Sequence, residues 1–220
     1  MPQVCLADEL DSAVSPSAAV QPGPLQISWL LGAPGTHATK LAVRATKELC
    51  AAGVSIEHIS VSDILAQCTK TSSEHGALVD EYVSSARALP PHVLTPLILA
   101  ALRAAPSRRV LLSAFPYSLD QSFDLEKAVG AAATKQLIYL QAGTGAAGGD
   151  DSDAERLAAR ARVANPDLDG VAFARKVKSF SEEVEPVVEH YDLFRKVRRI
   201  DAALEEEEDV FRELKKLLAK

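Results

Sequence analysis

Residues 29–49 read WLLGAPGTHATKLAVRATKEL, and this stretch decides the fold. A hydrophobic strand runs into Gly32, Pro34 and Gly35, and a helical pattern rich in Ala, Leu and Lys follows. A nucleotide-cradling loop has the pattern G-x-x-x-x-G-K-[ST], with backbone amides around the phosphates and a Lys reaching over them. Here the frame is filled by Gly32, Ala33, Pro34, Gly35, Thr36, His37, Ala38 and Thr39. The spacing survives, but His37 stands at the second Gly and Ala38 at the Lys. The shape of a phosphate loop is therefore expected, and its chemistry is in question.

Outward from that stretch, five short apolar runs read as strands buried on both faces: 27–31, 56–60, 110–114, 137–142 and 197–201. Helical patterns lie between them, so the chain alternates strand and helix, which predicts an α/β fold with a mostly parallel sheet. Binding sites in such sheets lie at the C-terminal strand ends. The last helix shows Val210, Phe211, Leu214, Leu217 and Leu218 on one stripe. Residues 171–197 repeat Phe180, Val184, Val187, Val188, Tyr191 and Phe194 at similar spacing, which reads as core, with a kink expected at Pro186. The Gly-rich segment QAGTGAAGGDDSDAE after the fourth strand lacks Lys and reads as a surface loop.

A chain of 220 residues, 47% hydrophobic and 25% charged, suits one domain with a core of its own. Residues 1–24, dominated by Ser, Ala and Pro, read as a flexible lead-in, and 25–220 as the domain. The lead-in has three acids and no Lys or Arg, which speaks against a secretory signal or transit peptide and for a cytoplasmic protein. No apolar run approaches the ~18–20 residues of a membrane span. Cys5, Cys50 and Cys68 are dispersed, which predicts buried thiols in a reducing compartment and no metal site. A net charge of −6 disfavours nucleic acid as a partner. The acidic run 205–209 reads as the solvated first turn of the last helix, where negative charge suits the dipole.

Five motifs, in order, give the chain a family resemblance. LLGAPGTHATKLA is similar to a loop G-x-P-G-S-G-K-G-T-Q. HISVSDILA (58–66) is similar to H-I-S-T-G-D-L-L-R, and LPP (89–91) stands where L-V-P is found. VLLSAFPYSLDQS (110–122) looks like F-L-L-D-G-F-P-R-x-x-x-Q, and residues 184–202 look like P-V-I-x-x-Y-x-x-x-x-x-V-x-x-I-D-A. From about Gln26 to the C-terminus, the chain resembles the adenylate kinase and UMP-CMP kinase family. The resemblance implies a P-loop NTPase-like three-layer fold, with a five-stranded parallel sheet flanked by helices and a short, degenerate lid. It also implies transfer of the γ-phosphoryl of ATP to AMP, UMP or CMP with Mg²⁺, a reaction that depends on positive charge and in-line positioning.

Carried over residue by residue, the resemblance puts Ala38 at the loop Lys. Lys40 cannot replace that Lys, because two residues along a helix turn ~200° and rise ~3 Å. His37 replaces a Gly whose missing Cβ lets the backbone approach phosphate. Ala66 stands at the Arg that holds the monophosphate, Ser113 and Ala114 at the Asp-Gly of D-G-F-P, and Tyr117 at the next Arg. Within 161–170, Pro166 falls at a lid Arg, and Lys176 falls at a helix Arg, keeping charge without the planar fork.

Gly32, Gly35, Thr36, Thr39, Asp63, Gln121 and Arg160 remain as vestigial nucleotide-binding positions, with Thr39 a possible Mg²⁺ contact and Gln121 the base reader. Pro34 and Pro116 keep turns. Each retained residue also has a local reading: Asp63 as a helix cap, and Arg160 as the partner of a neighbouring Asp.

Loss of one oxyanion-type donor commonly costs ~10²–10³ in rate, and loss of an arginine finger ~10³–10⁵. With the Lys, an acid and three Arg absent, the expectation is a pseudokinase with no catalytic residues and no cofactor. It would act as a structural subunit of a larger protein assembly, with an axonemal complex of cilia or flagella as its setting. The alternative is a residual nucleoside monophosphate kinase or nucleotide sensor that still takes ATP and Mg²⁺.

Overall fold

A computed structural model describes residues 23–70, 74–84, 89–141, 151–162, 169–202 and 206–220. Five strands form one all-parallel sheet in the order β2-β3-β1-β4-β5. They are β1 (Gln26–Gly32), β2 (Glu57–Ser60), β3 (Arg109–Ser113), β4 (Thr134–Gln141) and β5 (Val197–Asp201). All five expected strands are present. β4 starts three residues earlier than its apolar run, because Thr134 and Gln136 are buried polar residues, Gln136 donating to Ser28 Oγ at 3.3 Å.

Eight helices lie among the described residues. They are α1 (Ala38–Ala51), α2 (Val61–Cys68), α3 (Glu74–Ser84), α4 (Pro91–Ala104), α5 (Leu119–Val129), α6 (Asp151–Arg162), α7 (Gly170–Leu193) and α8 (Glu207–Ala219). Side chains alternate across a strand, and each face of the sheet is covered. Trp29 and Leu31 of β1 join Leu112, Leu137 and Tyr139 in a core with α4, α5 and α7. Leu30 joins Leu111, Ile138, Leu140 and Ile200 beneath α1 and α8. Continuous apolar strands are the consequence of this two-sided burial.

α7 is one span of 24 residues with Pro186 inside it. Its stripe is buried as expected from Phe180 to Tyr191, but Phe194 departs from it. Phe194 is the C-cap, so it has left the helical stripe and is 61% exposed. The α8 stripe is buried at Val210, Phe211, Leu214 and Leu218. Cys68 is buried, whereas Cys50, expected inside, is exposed and points its thiol at the Ile56 carbonyl, 3.2 Å away. The lead-in to residue 22, Cys5, residues 142–150 of the Gly-rich segment and Pro166 lie outside the described residues; the end of that segment, residues 151–155, expected in the loop, instead forms the start of helix α6. No described helix is long and apolar enough to cross a membrane.

Candidate functional site

Strand β1 lies between β3 and β4, so the strand order reverses on either side of it. The crevice at the C-terminal end of such a switch point is where α/β sheets bind ligands. The turn from Gly32 to His37 lies there. Ala33 is pinned by donating to the Leu140 carbonyl at 3.1 Å. Thr36 is fully buried, and its hydroxyl donates to the Ala33 carbonyl at 2.7 Å, closing the turn on itself.

Two glycines are required by the turn. A Cβ on Gly32 would lie 2.4 Å from the Ala38 Cβ and 2.6 Å from the Thr36 Oγ1. Gly35 has φ +85, and a Cβ there would meet the Leu157 carbonyl oxygen at 2.7 Å and the Phe173 ring at 2.9 Å. Helices α6 and α7 thus pack directly on the outside of the loop.

His37 adopts the left-handed conformation, φ 54 and ψ 33, at the N-cap of α1. A Cβ makes that region costly by roughly 1–2 kcal/mol. Its ring is held by Glu207, with Nδ1 2.9 Å from Oε2, and Lys40 Nζ donates to the other oxygen of the same carboxylate at 2.9 Å. Both basic side chains of residues 32–40 therefore face a carboxylate supplied by α8. Glu207, Glu208 and Asp209 form the first turn of α8 as expected, and Glu206 is its N-cap, but these acids are not merely solvated: Glu207 serves the loop, and Glu208 takes Arg44 bidentately at 2.6 and 2.9 Å. Nothing local in the sequence signals this pairing, since the partners are 164 to 170 residues apart.

The other retained positions have structural partners. Gln121 is 2% exposed; its Nε2 donates to the Leu89 carbonyl at 3.0 Å, and its Oε1 accepts from the Tyr117 amide at 2.9 Å. Gln121, the expected base reader, joins the start of α4 to the β3–α5 turn through these bonds. Arg160 donates to the Ala202 carbonyl at 2.8 Å, so one of its contacts is a backbone oxygen. The N-cap of α2 is Ser60, whose Oγ accepts from the Asp63 amide at 3.2 Å. Asp63 is an exposed first-turn acid there. Thr39 is half-buried in the first turn of α1.

No family model matches the chain. The adenylate kinase of Campylobacter jejuni subsp. jejuni serotype O:23/36 is 24% identical over 166 residues, 76% of this chain and 82% of that protein. The UMP-CMP kinase of Lentinula edodes is 25% identical over 202 residues, covering 83% and 81%. The adenylate kinase of Helicobacter pylori strain HPAG1 is 27% identical over 106 residues, covering 48% and 54%. The chain is adenylate kinase-like.

In this adenylate kinase-like frame the positions named for phosphate contacts carry little charge. The Ala38 methyl ends against Gly32. Ala66 is exposed on α2. The Tyr117 ring packs edge-on against Phe180 at 5.9 Å, and burial raises its phenol pKa. Ser113 is fully buried and shares its hydroxyl with His58 Nε2 at 2.8 Å. Ala114, beside it, has φ 60, and the Phe115–Pro116 peptide is cis. Lys176 is exposed on α7.

The charges that remain predict how the fold responds to acid. Burial pushes the His58 imidazole below its usual value, opposed by Asp63. Hydrogen bonds from His37 and Lys40 hold Glu207 below the usual carboxylate range, Arg44 does so for Glu208, and Lys215 for Glu48. All four groups bind protons more weakly folded than unfolded, so their contributions are present above the unfolded pKa values and are lost as pH falls through the folded ones. Melting temperature should begin to fall below about pH 6.5 and fall again below about pH 4.3, the unperturbed His and Glu values. His58→Gln should flatten the first limb, and Glu207→Gln with Glu208→Gln the second. Limbs unchanged in these variants would show that other groups carry the acid response.

Proposed function

We propose that this adenylate kinase-like chain is a non-catalytic subunit of a larger protein complex, with an axonemal assembly as its setting. One observation carries the reading: the basic side chains of the phosphate loop already face a carboxylate. His37 and Lys40 both contact Glu207, and the position of the reaching Lys holds a methyl group. Phosphoryl transfer rests on positive charge placed around the transferred group, and a built-in carboxylate opposes it. Gln121 adds to this, because both ends of its amide are bonded to backbone. The relatives are kinases by name, and the proposal is that this chain keeps their body without their chemistry.

A second reading, a nucleotide sensor with residual kinase activity using ATP and Mg²⁺, is favoured by the persistence of the turn. Gly35 and His37 keep positive φ, and Thr39 stays in the first turn of α1. A coupled assay and a thermal shift with ATP, AMP and a bisubstrate dinucleotide separate the two. The subunit reading expects no turnover and no shift, since any ligand of the native state raises its apparent stability. Ala38→Lys alone should not restore activity, because Glu207 remains beside the loop and Ala66 and Tyr117 still replace Arg. Turnover above ~1 s⁻¹, the low end of kinase rates, in the native chain would overturn the proposal, and in the Ala38→Lys variant it would show that the rest of the site is intact. Labelling of the full chain in ciliated cells tests the axonemal setting.

A further inference from the structure

The flank formed by α5 and α7, remote in sequence from the loop, carries an open groove of about 650 Å³ with a mixed apolar and acidic lining. Leu119 lines it from α5; Pro186, Glu189, His190, Asp192 and Leu193 line it from α7. On α7 the positions 186, 189, 190 and 193 follow the i, i+3, i+4, i+7 spacing of one helix face. At its end an aromatic cluster is open to solvent. The His190 ring is 5.0 Å from Phe123 and 5.3 Å from Phe194, and Phe123, Phe194 and Leu193 are 44%, 61% and 81% exposed. Large apolar side chains clustered beside a groove mark interaction surfaces more often than chance, and a groove between two helices suits an amphipathic helix.

Charge decides what fits it. Residues 119–126 carry three carboxylates and residues 182–192 carry five, with no Lys or Arg in either run; of these, Asp192 already accepts from Arg199 at 2.9 Å and Glu182 lies 4.0 Å from Lys178. Glu189, on the lining, has no hydrogen bond or ion pair among the described residues. A second copy of the chain would bring two such acidic rims together, and the lead-in, whose charged groups are Asp8, Glu9 and Asp11, would be repelled as well. An anionic membrane would meet the same repulsion.

We propose that the α5–α7 groove docks a short cationic amphipathic helix of a partner protein. Apolar residues one turn apart would enter between Leu119, Phe123 and Leu193, with Lys or Arg toward Glu189, the lining carboxylate that is not already paired among the described residues. The inference rests on the subunit reading above and gives that subunit a binding face.

The probe is a fluorescein-labelled 16-residue peptide of Leu, Ala and Lys, with Leu at i, i+4 and i+7, titrated with the full chain at 0.15 M salt. A second peptide carries Glu in place of Lys. The cationic peptide should bind at least tenfold more tightly than the acidic one. The exposed double variant Phe123→Ser with Leu193→Ser should weaken binding at least tenfold, and the charge-only variant Glu189→Lys should weaken it and reduce its salt dependence. Equal binding of both peptides, or unchanged binding by these variants with melting preserved, would overturn the groove. So would a dimer in sedimentation, or binding to phosphatidylserine vesicles, that Leu193→Ser abolishes. Failure of the peptide arms leaves the subunit reading to its own nucleotide test, while kinase turnover would remove that reading without touching the peptide result.

Discussion

Trp29→Ala should cost about 3–5 kcal/mol of stability, the range for truncating a large buried aromatic. Trp29 is fully buried on the central strand, and its ring meets Phe115 at 5.7 Å and Tyr191 at 4.9 Å, both edge-on. The truncation opens a cavity between β1, the β3–α5 turn and α7, and it removes two aromatic pairs worth about 0.5–1.5 kcal/mol each beyond area. Against a typical domain stability of about 5–15 kcal/mol, that is a large fraction of the whole. Trp29→Phe should behave differently. The indole Nε1 is buried without a hydrogen-bond partner, and leaving such a donor unpaired costs about 1–3 kcal/mol. Phe removes that penalty while keeping much of the ring, so its net loss should stay below about 2 kcal/mol. Urea denaturation followed by circular dichroism checks both. A Phe variant as damaged as the Ala variant would show that indole volume, not ring contact, sets the cost.

These residues also show what the sequence makes legible. Strands buried on both faces announce themselves as apolar runs, so β1 and β5 were readable nearly to the residue, and the stripe on α8 gave its packing face. β4 was read short because Thr134 and Gln136 are polar yet buried, and polarity alone hides such positions. Phe194 matched the α7 period but lies just past the helix end, where the period no longer applies. The loop's frame was legible from Gly32 and Gly35. Its electrostatics were not: Glu207 comes from α8, and a carboxylate brought in by tertiary packing has no local spacing to betray it. Gln121 and Arg160 fitted family positions, and only geometry revealed the Leu89 and Ala202 carbonyls they hold.

Gly35→Ala should destabilise the fold by about 2–4 kcal/mol, and a comparison with Gly53→Ala separates the causes. Both glycines have positive φ, +85 and +84, so both substitutions incur the left-handed cost of roughly 1–2 kcal/mol. Both also gain part of that back, about 0.4–1 kcal/mol, because Ala has less freedom to lose from the unfolded chain. They differ in space. A Cβ on Gly53 meets nothing within 4 Å, whereas one on Gly35 falls 2.7 Å from the backbone oxygen of Leu157. A carbonyl within a helix does not swing aside like the end of a flexible side chain, so α6 must move or the loop must yield. Overpacking of this kind adds about 1–3 kcal/mol. The displacement should be readable as faster amide exchange in α6 and loss of the Arg160 contact to Ala202, with α1 protected. Gly53→Ala should cost about 1 kcal/mol and leave α6 alone. Equal costs for the two variants would mean that α6 does not rest on the loop, and that the glycine serves the backbone turn only.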